Sequence, residues 1–154
     1  MTGTPGGGQG RGEQVTHPIL AGYDGSASSR HALAYAAGMA RRHDGYLIVV
    51  HVTTSQIAAV AGYSLMPIAA GCANRDDQLY WLFRELADAA DITGLSVEVV
   101  EREGDPAREL ANMAVEKIAD AIVIGAPEQL MHRFAGSVPA WLVRHACCPV
   151  VIVP

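Results

Sequence analysis

Two glycine–hydroxyl turns, one near each end of the chain, carry residue types that bind anions. The first is Asp24-Gly25-Ser26, which follows the apolar run from Pro18 to Tyr23. The second opens at Gly125, after Ala121-Ile122-Val123-Ile124, and closes at Gly136-Ser137. Glycine lets backbone N–H groups come close to a phosphate, and a helix N-terminus favours negative charge. Each turn reads as the break between a buried strand and a helix. In an open parallel sheet, ligands bind in the crevice outside the carboxyl ends of the strands. The two turns therefore predict a nucleotide-type crevice. Asp24 has a second reading, because an Asp side chain can bond N–H groups two or three residues on. Ser137 is a helix N-cap by default and a phosphate ligand when a nucleotide is present.

The elements that position these turns follow from periodicity. A strand is expected at Pro18–Tyr23, with Ser26 or Ser28 capping a helix that runs to about Arg42. Ala32, Leu33, Ala36, Ala37 and Ala40 form its inner face. Tyr46–Val52 is the second strand, continuously apolar through Leu47–Val50, as a strand covered on both faces should be. A second helix is expected from about Asn74 to Asp91, with Leu79, Leu82, Phe83, Leu86 and Ala90 at helical spacing. Leu95–Val100 reads as a third strand with polar neighbours, hence an edge. Asp105 and Pro106 open a third helix, with Leu110, Met113, Ala114 and Ile118 facing inward. Ala121–Gly125, a helix over Val138–Ala146 and a strand at Pro149–Val153 complete the order. Strand and helix alternate without hairpin signals, which predicts a parallel, doubly wound α/β sheet. Residues 1–16 read as a flexible, glycine-rich tail, and 17–154 as one domain.

Composition excludes several classes. Half of the 154 residues are apolar and 18% are charged, so the chain is globular. A formal net charge of -5, with no strong basic stripe, argues against nucleic-acid binding. The uncharged stretch Thr53–Asn74 is too broken by Gln56, Gly62, Ser64, Pro67 and Gly71 for a membrane span. It reads as a loop over the crevice: a lid, an apolar ligand site or a subunit contact. The three cysteines, two of them adjacent, do not form a secreted disulfide pattern and point to a cytoplasmic protein. Cys147-Cys148 admits a redox switch or burial beside the last strand, and burial is the expectation. The six histidines lack metal-ligand spacing, and there is no CxxC pair, Walker loop or nucleophile elbow. No metal or catalytic residue is expected. His51, on the second strand, reads as a core or rim histidine.

Together the residues resemble the universal stress protein family. The likeness runs from Pro18 to Pro154. It rests on Ile19–Ser26, on Gly104-Asp105-Pro106-Ala107, on Gly125 with Gly136-Ser137, and on Cys148-Pro149-Val150-Val151-Ile152-Val153. The resemblance implies a single five-stranded, flavodoxin-like sheet of order 3-2-1-4-5, of the adenine-nucleotide-hydrolase type. It also implies a homodimer formed through the last strand, at Val150, Val151, Ile152 and Val153. ATP is the candidate ligand, because the family has ATP-binding members and members that bind none. The residues implied for nucleotide contact are Asp24, Gly25, Val50, Val52, Gly125, Arg133, Gly136, Ser137 and Val138.

Binders in the family resemble one another in a loop of glycine, two residues, glycine, nine residues, glycine, then serine or threonine. Here Glu128 stands at the middle glycine, and the stretch from Gly125 to Gly136 is two residues short. Glu128 puts a negative charge where a triphosphate would approach, at a cost of roughly 1–4 kcal/mol. His132 and Arg133 are either solvated or compensating phosphate contacts. The leading reading is a stress-response or regulatory protein without chemistry of its own and with an altered, weak or absent ATP site. The second is an ATP-dependent switch that tolerates the shorter loop. The third is an adenylating enzyme related by fold, and Asp24-Gly25-Ser26-Ala27-Ser28 is not the pyrophosphate loop such an enzyme uses.

Overall fold

The computed structural model describes residues 17–54, 75–127 and 137–154. Five parallel strands form one sheet: β1 (Pro18–Gly22), β2 (Tyr46–Thr53), β3 (Val97–Glu103), β4 (Ala121–Gly125) and β5 (Val150–Val153). Their order is β3-β2-β1-β4-β5. The described helices are α1 (Ala27–Arg42), α2 (Arg75–Ala89), α3 (Pro106–Lys117) and α4 (Val138–His145). The doubly wound 3-2-1-4-5 sheet expected above is the one observed. The tail over 1–16, and residues 55–74 of the uncharged loop with Cys72, lie outside the described residues.

Each face of the sheet has its own core. Ile19, Ala21, Leu47, Val49 and Val123 pack with Ala32, Leu33, Ala36 and Ala40 of α1 and with Leu82 and Leu86 of α2. Leu20, Ile48, Val50, Ile122 and Ile124 pack with Leu110, Met113 and Ala114 of α3 and Leu142 of α4. Alternate residues of one strand thus serve opposite cores, which is why the central strands read as unbroken apolar runs. The alanine face of α1 brings that helix close to β1 and β4.

Local chemistry sets the helix starts. Of the two cap candidates for α1, Ser26 is the cap: its hydroxyl accepts from the Ser29 N–H at 3.1 Å. The Asp105 carboxylate accepts from the Arg108 N–H at 3.0 Å, with Pro106 in the first turn of α3. Gly45 ends the turn after α1, and a Cβ there would meet the His17 carbonyl oxygen.

Four expectations are corrected. β3 begins two residues later than Leu95 and runs past Val100 to Glu103. Among the described residues it is an edge strand, so its extent follows its neighbour β2: the register continues to Thr53↔Glu103. Ile118 does not face inward. It is the left-handed C-cap of α3, with φ 52°, and is 82% exposed. Phe83 shares the helical spacing of Leu82 and Leu86 but lies on the flank of α2, 41% exposed. Cys147 is exposed and Cys148 is half-buried, because both occupy the bend between α4 and β5 and not the strand itself.

Candidate functional site: a crevice at the carboxyl ends of β1 and β4

β1 and β4 are neighbours in the middle of the sheet. The chain leaves β1 for α1 on one face and leaves β4 for α4 on the other. Such a reversal opens a crevice at the carboxyl ends of the two strands. A cavity of about 480 Å³ lies there. Gly22, Tyr23 and Asp24 continue β1 into its wall, and Ile124, Gly125, Ala126 and Pro127 continue β4. Val50 and Val52 of β2 supply an apolar side. Ser137 and Val138 open α4, and Pro106 and Leu110 of α3 close the far side.

Two helices begin at this cavity. Ser26, Ser28 and Ser29 of the α1 start line it, and Ser28 and Ser29 are buried. At α4, the Ser137 hydroxyl accepts from the Ala140 N–H at 3.4 Å. Two positive helix ends facing one cavity favour an anionic ligand. Asp24 opposes them. Its carboxylate accepts from the Ser26 N–H at 2.9 Å. Burial pushes its pKa up, but hydrogen bonds from Ser26 and Ser29 outweigh this and hold it below the ordinary carboxylate range. The side chain remains open to solvent, so Asp24 is an ionised group at the cavity mouth.

Glycine is required twice in these walls. A Cβ on Gly125 would lie 2.6 Å from the Ser28 carbonyl carbon and 2.7 Å from the Ser29 nitrogen. Gly125 therefore lets the first turn of α1 pack against the end of β4. Gly25 takes φ 82°, the left-handed turn between β1 and α1, and shapes the wall without lining the cavity. Behind the wall, the Tyr23 hydroxyl donates to Glu85 Oε1 at 2.8 Å, and Arg30 Nη2 donates to the same oxygen at 3.3 Å. Burial, with Glu85 beside it, pushes the Tyr23 pKa up to about 12. This trio ties the β1–α1 turn to α2.

Of the sequence-predicted residues, Asp24, Val50, Val52, Gly125, Ser137 and Val138 come together around the cavity. Glu128, His132, Arg133 and Gly136 lie outside the described residues. His51 shares the face of Leu47 and Val49, away from Val50 and Val52, and its buried Nδ1 has no hydrogen-bond partner. Sequence reasoning missed Gly22, Tyr23, Ser28, Ser29, Pro106 and Leu110. Only Gly22 carried a signal: a glycine inside an apolar strand marks a close approach. A Cβ there would meet Ile124 at 3.0 Å and Leu110 at 3.1 Å. Among the described residues there is no cluster of three metal-ligating side chains. Among them, too, no helix is long and apolar enough to cross a membrane.

Comparison with known proteins agrees with this geometry. The family model described as "Universal stress protein family" matches residues 16–154. A universal stress protein of Thermus aquaticus is 31% identical over 138 residues, covering 88% of this chain and 96% of that protein. A crystal structure of a universal stress protein in complex with cAMP is 26% identical, with a TM-score of 0.67 over 90% of this chain and 97% of that one. The universal stress protein of Archaeoglobus fulgidus in complex with dAMP is 25% identical, with a TM-score of 0.60 over 91% of this chain and 99% of that one.

Proposed function

The chain belongs to the universal stress protein family, and on that premise we propose that it is a cytoplasmic, nucleotide-binding regulatory protein whose phosphate loop holds ATP weakly. The observation that carries this reading is the cavity at the β1–β4 reversal, with Val50 and Val52 on one side and two helix starts on the others. An apolar side suits a purine, and the helix starts suit a phosphate. Similar proteins found with cAMP and with dAMP support an adenine nucleotide as the ligand class.

The weakness towards ATP rests on sequence. Glu128 stands at the middle glycine and the loop is two residues short of the binders' pattern, so a triphosphate meets an added negative charge on a shortened loop. A monophosphate avoids most of that penalty. The reading assigns the protein no catalytic step. Its role is to change partners or assembly when the cavity fills. We further propose that two copies pair through β5, which among the described residues has β4 as its one strand neighbour and so offers its outer edge to a second strand.

The test is the content of the cavity after purification. Mass spectrometry of the denatured protein should release an adenine monophosphate, cyclic or linear, in preference to ATP. Stoichiometric ATP would instead support the second reading, a nucleotide-dependent switch that tolerates the short loop, with His132, Arg133 and Ser137 as the compensating contacts.

A further inference from the structure

Tyr23, Asp24 and Ser26 of the cavity wall all belong to the turn that joins β1 to α1. The bonds inside that turn are short-range. The Asp24 carboxylate accepts from the Ser26 N–H at 2.9 Å, and the Ser26 hydroxyl accepts from the Ser29 N–H at 3.1 Å. Gly25, at φ 82°, leaves the backbone between them free to take other shapes. A support from outside the turn is therefore needed to hold one shape.

That support is a single carboxylate oxygen on α2. The Tyr23 side chain is buried in the core shared by α1 and α2. Its hydroxyl donates to Glu85 Oε1 at 2.8 Å, and Arg30, in the first turn of α1, donates to the same oxygen at 3.3 Å. A Cβ on Gly25 would lie 3.8 Å from that oxygen, so the carboxylate rests against the turn itself. One oxygen thus bridges the residue before the turn and the helix after it. Neither Glu85 nor Arg30 lines the cavity. We propose that Glu85 is a positioning residue for the adenine-nucleotide cavity, stapling the β1–α1 turn so that Asp24 and Ser26 meet the ligand in one shape. The proposal rests on the nucleotide reading of the cavity. A wall held in its bound shape loses less affinity to ordering. α2 has other anchors: Leu82 and Leu86 sit in the core, and beyond the far end of the helix Arg41 Nη2 donates to the Asp91 carbonyl at 2.6 Å. Cutting the staple therefore loosens the turn without undocking the helix.

The experiment titrates AMP into the full chain by calorimetry, at a temperature where every variant is folded, and follows amide hydrogen exchange without ligand. Glu85→Ala should weaken AMP binding by at least about fivefold, and Glu85→Gln, which keeps an acceptor for the Tyr23 hydroxyl, should recover part of the loss. Exchange at the Ser26 and Ser29 amides should speed up in Glu85→Ala. Arg41→Ala, which cuts the tie at the far end of α2, should lower stability and leave AMP affinity unchanged. If Glu85→Ala fails to fold, Glu85→Gln decides in its place, by weaker AMP binding than the parent's. Parent-like affinity or exchange in the deciding Glu85 variant would overturn the proposal alone, as would an equal loss of affinity in Arg41→Ala. A parent chain that binds no AMP would overturn the nucleotide reading and the proposal with it.

Discussion

Gly125 touches the first turn of α1 so closely that a Cβ would overlap the Ser28 backbone and hydroxyl, both at 2.6 Å. Backbone cannot yield as a flexible side chain can. Gly125→Ala should therefore cost about 1–3 kcal/mol of stability, measured by urea unfolding. An unchanged midpoint would show that α1 and β4 are not packed as described. A glycine that resembles part of a phosphate motif thus has a structural requirement of its own, and the sequence could not separate the two roles. Tyr23 is the second telling residue. It is 3% exposed and shares Glu85 with Arg30. Its pKa is raised from 10.0 to about 12, so the native state holds its proton more tightly than the unfolded chain does. Stability from this group is complete below about pH 10 and is lost as pH rises towards about 12, by roughly 2 kcal/mol. Tyr23→Phe should flatten that alkaline decline in a denaturation series. An equally steep decline in Tyr23→Phe would place the titration elsewhere. Asp24 works in the opposite sense. Its lowered pKa adds stability that is present above the ordinary carboxylate range and lost as pH falls below that range, through the lowered value of the folded state. No feature of the sequence marked Tyr23, because its role depends on Glu85, which lies on α2.

The end of α3 shows how an element can break a local rule. Ile118 holds φ 52° with its side chain 82% exposed. A β-branched residue in the left-handed region is strained, and glycine is the usual occupant of such a helix end. The apolar spacing of Leu110, Met113 and Ala114 suggested that Ile118 continued the inner face, but the helix stops at Lys117. Periodicity cannot see where a helix ends when the terminating residue is not glycine or proline. Ile118→Gly should stabilise the protein by about 1 kcal/mol, because relief of the strain and little lost burial outweigh glycine's greater unfolded-state entropy. A loss of stability in chemical denaturation would mean that the exposed isoleucine is held by contacts beyond those described. The helix starts were easier to read. Ser26, Asp105 and Ser137 all cap as their residue types suggest, since a cap is a contact of three residues and needs no knowledge of the fold.

For the whole molecule, the alternation of strand and helix was legible because each central strand is covered on both faces and reads as an unbroken apolar run. The strand order was not contained in that alternation and came from the resemblance. The cavity was legible at the strand ends, through Asp24, Gly125 and Ser137, and illegible on its far side, where Pro106 and Leu110 arrive from α3. At this scale the β5 edge makes a prediction. Ile152 is 42% exposed on that edge strand. If two copies pair there, Ile152→Lys should place like charges in the seam and convert a dimer to a monomer in sedimentation at micromolar concentration. A parent chain that is already monomeric would contradict the pairing. Exchanging Glu128→Gly should improve ATP binding by about tenfold at most, because relief of charge does not restore the two missing loop residues. The most direct test of the central claim is a side-by-side calorimetric titration of the unmodified protein with AMP and ATP. AMP should bind at least as tightly as ATP, with an ATP dissociation constant weaker than about 100 μM. An ATP constant in the low micromolar range, tighter than that for AMP, would contradict it.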